Sequence, residues 1–209
     1  MSKHPIRDKI LNKIQEFEYG QPITYRELKS CGFDSAVQRS IKHFCQTGIL
    51  TRVMTGFYVR PKRHASLPNI MVTCGPEKLA KVWAKERGYI LTSTDFEEMY
   101  QLRFQTQMPI RPRFWTDGPN KTFKVGNASV SVEHVSSEKL KWHDIPLGRF
   151  YRAIQARDPE WVKPKELLEA LKLLGQSDEE IGVSIATLTK EPSLSSWIPL
   201  LEAVRKSLP

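Results

Sequence analysis

An α+β fold is predicted from this sequence, on three observations. Two capped helical patterns flank a glycine turn between residues 24 and 48, and a short basic hairpin pattern follows to residue 60. A proline-containing link then leads into alternating helices and strands that end in a run of helices. The first two observations compose an N-terminal winged helix-turn-helix, and the third a mixed α/β-meander domain with C-terminal helices.

The elements follow in order. A first helix presents Ile6, Ile10, Ile14 and Phe17 to a core. Thr24-Tyr25-Arg26-Glu27 has the form of a capping box, in which hydroxyl and carboxylate each satisfy a free backbone N–H, and Gly32 closes the helix it opens. Asp34 is expected to cap the next helix, which runs to Gln46 and stops at Gly48, where glycine tolerates the left-handed conformation that ends a helix. At about 100° per residue, Val37, Ile41 and Phe44 fall on one side of this helix with Cys45 at the margin. The other side carries Ser35, Arg39, Lys42 and Gln46, flanked by Gln38 and His43. From Ile49 to Arg60, two β-rich runs enclose a Thr55-Gly56 turn and form the predicted wing.

The charge distribution suits a polyanionic partner. Residues 1 to 63 hold 12 Lys and Arg against 5 Asp and Glu, a balance of +7, while the remaining residues hold 20 against 18, a balance of +2. Such a local excess raises affinity for nucleic acid without choosing a sequence, which must come from side chains able to reach base edges. The candidate DNA-binding residues are therefore Thr24, Tyr25 and Arg26 at the first helix of the motif, and Ser35, Gln38, Arg39, Lys42 and Gln46 on the second. Arg52 and Arg60 on the hairpin arms, with Lys62 and Arg63 just beyond, are placed for phosphates or a minor groove. The alternative for each stripe is an ordinary solvated face.

Two domains are expected, residues 1 to 63 and 68 to 209, divided where the charge changes and where Pro61 and Pro68 bound a link poor in apolar residues. No apolar run approaches the roughly 20 residues that span a bilayer. The start Met1-Ser2-Lys3-His4-Pro5 lacks the apolar core of a secretory signal, so a cytoplasmic location is expected. Cys31, Cys45 and Cys74 have no metal-type spacing and are read as reduced, packed thiols.

Past the link, Pro76 opens a helix to Arg87 that turns Leu79, Val82 and Trp83 inward and ends at Gly88. Tyr89-Ile90-Leu91 reads as a short buried strand, and Thr94 caps a helix containing Phe96, Met99 and Tyr100. A β-meander then runs through Arg113 to Thr116, Thr122 to Val125 and Ala128 to Val135, with turns at Asp117-Gly118-Pro119 and Gly126-Asn127. Val130 and Val132 alternate with Ser129 and Ser131, which gives that strand one wet face. Helical spacing returns in Leu147, Phe150, Tyr151 and Ile154, in Leu167, Leu168, Leu171 and Leu174, from Ile181 to Leu188, and from Trp197 to Val204. Breaks are expected at Gly175, Pro192 and Pro199.

No catalytic pattern is read. Glu133, His134, His143 and Asp144 do not repeat a ligand spacing, and neighbours on a strand point to opposite faces. Gly118 and Gly126 serve turns, Ser93 and Ser195 lack the glycines of a nucleophile elbow, and His4 and His64 are expected in solvent. No cofactor and no metal is expected.

Over roughly residues 5 to 140 the chain resembles the AbiEi family of antitoxins, the transcriptional-regulator half of type IV toxin–antitoxin systems described in phage defence. In the first part the resemblance rests on Ile23-Thr24-Tyr25-Arg26-Glu27-Leu28, on the Val37 to Phe44 helix, and on Gly48-Ile49-Leu50-Thr51-Arg52 leading to Thr55-Gly56-Phe57-Tyr58-Val59-Arg60-Pro61. In the second it rests on Gln105-Thr106-Gln107-Met108-Pro109, Phe114-Trp115-Thr116-Asp117-Gly118-Pro119 and Lys124-Val125-Gly126. Where the family has Ser-Gly and Leu-Gly-Leu, this chain has Ser93-Thr94 and Leu102-Arg103-Phe104. The resemblance implies an autoregulatory repressor that binds double-stranded DNA at promoter inverted repeats, as two copies, and counters a nucleotidyltransferase-type toxin with or without a stable complex. It also implies an antitoxin surface around Gln105, Thr106, Gln107, Arg113, Asp117 and Lys121. A stand-alone winged-helix regulator whose second domain senses a ligand or a protein is the alternative.

Overall fold

The computed structural model describes residues 5–63 and 71–209 and is of the mixed α+β class. Its packing divides the chain into two compact units, Met1–Gly88 with Thr122–Val130, and Tyr89–Lys121 with Ser131–Pro209. This differs from the boundary expected at residues 63 to 68. The part of the link from residue 64 to 70, with the expected exposure of His4 and His64, lies outside the described residues.

The first unit begins with α1 (Pro5–Gln15), β1 (Pro22–Thr24), α2 (Tyr25–Lys29) and α3 (Asp34–Gln46). Ile10 and Ile14 of α1 are fully buried against Val37, Ile41 and Phe44 of α3, with Ile23, Leu28 and Leu50 completing the cluster. Each such side chain contributes about 1.5–3 kcal/mol through burial. Thr24 caps α2 in the predicted box: its hydroxyl accepts from the Glu27 N–H, and its own N–H donates to the Glu27 carboxylate at 2.7 Å. Asp34 does not cap α3. Phe33 occupies the cap position with no side-chain hydrogen bond, because the Asp34 carboxylate is drawn sideways by the Tyr25 hydroxyl at 2.7 Å and the Gln38 amide at 2.8 Å. Gly48 takes φ 74°, as a helix-ending glycine does.

Next come β2 (Thr51–Met54) and β3 (Phe57–Val59), the predicted hairpin, turning at Gly56 with φ 79°. The sequence reading missed β1, which pairs antiparallel with β3 and makes β3 the central strand of the order β1-β3-β2. β4 (Lys62–Arg63) and β5 (Met71–Val72) form a short antiparallel pair, and α4 (Pro76–Arg87) follows. α4 packs on β1, and its Trp83 meets Phe123 edge-on with ring centroids 5.3 Å apart. These contacts carry the first unit well past the charge step at residue 63, which marks a change of surface rather than the end of a core.

The second unit opens with β6 (Leu91–Ser93), α5 (Asp95–Gln101) and β7 (Arg113–Thr116). β6 starts two residues later than expected. The Ile90 N–H donates to Asp117 and its carbonyl accepts from the Thr116 hydroxyl at 2.6 Å, so side chains take the backbone groups a ladder would need. Thr94 caps α5 as expected, accepting from the Glu97 N–H.

β8 (Lys121–Val125) and β9 (Ala128–His134) form a hairpin, but the three strands from β7 onward are not a meander. The order is β6-β7-β9-β8, with β9 inserted parallel to β7. The link after β7 crosses the end of β9 and is held there: the His134 N–H donates to the Asn120 side chain, and the His134 ring bonds the Gly118 carbonyl at 2.9 Å. Gly118 is required by space, because a Cβ there would lie 2.7 Å from the Tyr89 ring. Val130 and Val132 are buried while Ser129 and Ser131 are partly exposed, so the predicted alternation is present.

The helical end consists of α6 (Pro146–Gln155), α7 (Pro164–Leu173), α8 (Asp178–Leu188) and α9 (Ile198–Lys206). Leu147, Phe150, Tyr151, Ile154, Leu167, Leu171, Ile181, Ile185, Leu188, Leu201 and Val204 form its core. Gly175 turns the chain with φ 78°. Pro192 opens a short 3-10 segment, and Pro199 sits in the first turn of α9 rather than at a break, where its missing N–H leaves no bond unmade. Among the described residues, no helix is long and apolar enough to cross a membrane.

Candidate nucleic-acid interface

The α3 helix separates apolar and polar residues sharply. Val37 and Phe44 are buried, while Ser35, Gln38, Arg39, Lys42 and Gln46 are exposed along the opposite side. His43 is partly buried with its ring 5.8 Å from Phe44, so it borders the stripe rather than belonging to it. Arg39 Nε donates to the Ser35 carbonyl at 3.2 Å, which draws the guanidinium along the helix. Gln38 is held by Asp34, and Lys29 lies 3.6 Å from the same carboxylate, so the first-turn acid is offset locally and leaves the Arg39 and Lys42 charges unopposed on their face.

The other expected residues divide into two groups. Thr24 is 4% exposed and its hydroxyl is committed to the capping box, so it supports α2 instead of facing a ligand. Tyr25 is partly buried, and burial together with its hydrogen bond to Asp34 pushes its phenol above the ordinary range. It therefore braces α2 against α3. Arg26 is exposed on α2. On the hairpin Arg52 is exposed opposite Tyr58, with a register irregularity before Met54 that bends the strand. The Tyr25 N–H donates to the Gly56 carbonyl at 2.7 Å, which fixes the hairpin turn to the start of α2. Arg60 is stacked over the Tyr19 ring at 4.1 Å, and Lys62 is exposed on β4. The side chain of Arg63 lies outside the described residues.

Two neighbours of this surface escaped the sequence reading. Phe33 is 82% exposed directly before α3, and Tyr19 is 54% exposed beneath Arg60. The available signal was an aromatic residue standing just outside a helical period.

In the second unit, Gln105, Thr106, Gln107, Arg113, Asp117 and Lys121 are not brought together. Gln107 and Arg113 line a groove with Phe96, Met108, Ile110 and Trp115. Gln105 is spent on the carbonyls of Phe96 and Gln107, and Thr106 is exposed beside it. Asp117 and Lys121 belong to the opposite end of β7 and the start of β8, and Asp117 is engaged by Ile90. Arg113 faces Glu133 at 3.5 Å. The three cysteines are free thiols, and burial raises the pKa of Cys45 and Cys74. Among the described residues, no group of three or more His, Cys, Asp or Glu is arranged to hold a metal.

The chain belongs to DUF6088, a family of unknown function whose family model matches residues 9–183. Among solved structures it is similar to the crystal structure of the RV2827C protein from Mycobacterium tuberculosis, at 9% identity and a TM-score of 0.40, over 96% of this chain and 80% of that one. No curated protein matches the chain.

Proposed function

We propose that the first unit is a winged helix-turn-helix that binds duplex DNA, with α3 in the major groove and the β2–β3 hairpin as the wing. The observation that carries this reading is the α3 stripe of Ser35, Gln38, Arg39, Lys42 and Gln46, exposed on a helix whose opposite side is buried. Arg, Lys, Gln and Ser supply the donors and acceptors that base edges and phosphates take. Arg52 and Lys62 extend the cationic surface along the hairpin side. On this reading the chain is a cytoplasmic repressor of its own operon, with two copies on inverted repeats. It is not an enzyme.

The resemblance to the AbiEi antitoxins extends the proposal: the second unit counters a nucleotidyltransferase-type toxin. A second reading, a stand-alone regulator whose second unit senses a ligand, is favoured by a cationic cavity in that unit lined by Lys139, Arg152 and Arg157. Binding of the full chain to a duplex from its own upstream region tests the DNA proposal. Affinity is expected to fall with salt at a log–log slope of roughly −0.9 per phosphate contact. Salt-insensitive binding, or none, would overturn it.

A further inference from the structure

In the second unit two guanidiniums converge on one buried carboxylate, Glu98. Arg152 on α6 and Glu98 on α5 are each 1% exposed. The Glu98 carboxylate accepts from Arg149 Nε at 2.9 and 3.1 Å and from the Ser93 hydroxyl, and it lies 3.5 Å from Arg152 Nη2. One carboxylate thus serves two guanidiniums. Nε and Nη1 of Arg152 are buried without a hydrogen-bond partner, as is Nε of Arg157. A buried donor left without a partner is costly, so a guanidinium that meets Glu98 through Nη2 and keeps two idle donors calls for a further anion.

Arg152 lines a cavity of about 330 Å³ together with Lys139, Arg157 and Gln155, walled by Trp115 and Trp197. The volume falls within the range of about 300–1,000 Å³ usual for small-ligand sites. Lys139 Nζ stands 4.7 Å from the Trp115 ring centroid, which holds the ammonium at the wall. Among the described residues lining the cavity, Asp95 is the one carboxylate, and its Oδ1 accepts from the Phe96 N–H at 2.7 Å. With Glu98 and its second partner Arg149 counted, four cations stand against two carboxylates, an excess that a phosphate monoester, at roughly −1.5 to −2 near neutral pH, would match. A guanidinium fork also suits the geometry of phosphate oxygens.

We propose that this cavity binds a phosphate-bearing small molecule, with its phosphate against Arg152, Arg157 and Lys139 and the remainder against the two tryptophans. The site stands apart from the DNA-binding reading and does not depend on it. Calorimetric titration of the full chain with AMP, adenosine and inorganic phosphate tests it. AMP is expected to bind saturably at one per chain, phosphate more weakly, and adenosine not at all. Arg157→Gln and Lys139→Gln should each weaken AMP binding by roughly tenfold or more, the loss of a charged hydrogen bond. Arg39→Ala with Lys42→Ala should leave it unchanged. Arg152→Met should abolish binding, and if that variant fails to fold, the partly exposed Arg157 decides the matter. Absence of saturable binding to AMP and phosphate, equal binding of adenosine, indifference to Arg157→Gln, or equal loss on substituting α3 would each overturn the proposal.

Discussion

At the scale of single residues, two positions show how local conformation is set by neighbours rather than by the residue itself. Arg103 has φ 63° in the stretch Leu102-Arg103-Phe104. The left-handed conformation costs a residue with a Cβ roughly 1–2 kcal/mol, and the exposed Arg103 side chain has little packing to offset it. Arg103→Gly is therefore expected to stabilise the protein by about 1 kcal/mol, part of the relief being lost to backbone entropy. A denaturant melt with an unchanged or lowered midpoint would contradict that account. Gly148 shows the converse constraint: a Cβ there would stand 2.0 Å from the Trp142 carbonyl oxygen, so α6 can pass this close only with glycine. On the proposed recognition stripe, Arg39 and Lys42 lie on a helix whose far side is committed to a core.

At the scale of elements, the helices were the most legible part of the sequence. Capping boxes, prolines in first turns and glycines past last turns act within a few residues of one another, so α3, α4 and the starts of α2 and α5 follow from local chemistry, while α2 ends at Ser30 and not at the expected Gly32. What escaped was set by partners distant in sequence. β1 exists because β3 pairs with it, β6 starts late because Asp117 and Thr116 hold Ile90, and β9 lies between β7 and β8 with His134 tied to the crossing link. Asp34 reads as a cap by type, yet Tyr25 and Gln38 outcompete the backbone for it. The C-terminal helices carry a pH-sensitive feature of the same non-local kind. Burial, and then the hydrogen bond to Glu138, push the Tyr151 phenol well above the ordinary tyrosine range. The folded state thus holds that proton more tightly than the unfolded chain does. Its stabilising contribution is complete below the unfolded value of about 10 and declines as pH rises beyond it. Denaturant midpoints compared at pH 9 and pH 11 should fall more for the natural protein than for Tyr151→Phe; an equal fall would show that this phenol does not govern the loss.

At the scale of the whole molecule, the candidate stripe was readable because amphipathic periodicity and charge are properties of one helix, whereas the cationic cavity was not. Its lysine, arginines and tryptophans come from segments between Trp115 and Trp197 that only folding assembles. The division into units also bears on how the two proposed tasks are separated. Since α4 and the Thr122–Val130 segment belong to the first unit, cutting near residue 63 would expose its core, and substitutions in the full chain are the sound test. A full chain carrying Arg39→Ala and Lys42→Ala should still protect cells from a cognate toxin expressed from a constitutive promoter. Loss of protection together with DNA binding would place both tasks on α3. The central claim, that α3 reads DNA sequence while the hairpin holds the backbone, is tested most directly by fluorescence anisotropy of three full-length proteins on operator and random duplexes. Arg39→Ala should cost about 1–3 kcal/mol on the operator and little on random DNA, while Arg52→Ala should weaken both complexes alike. Equal loss on the two duplexes with Arg39→Ala would contradict the claim.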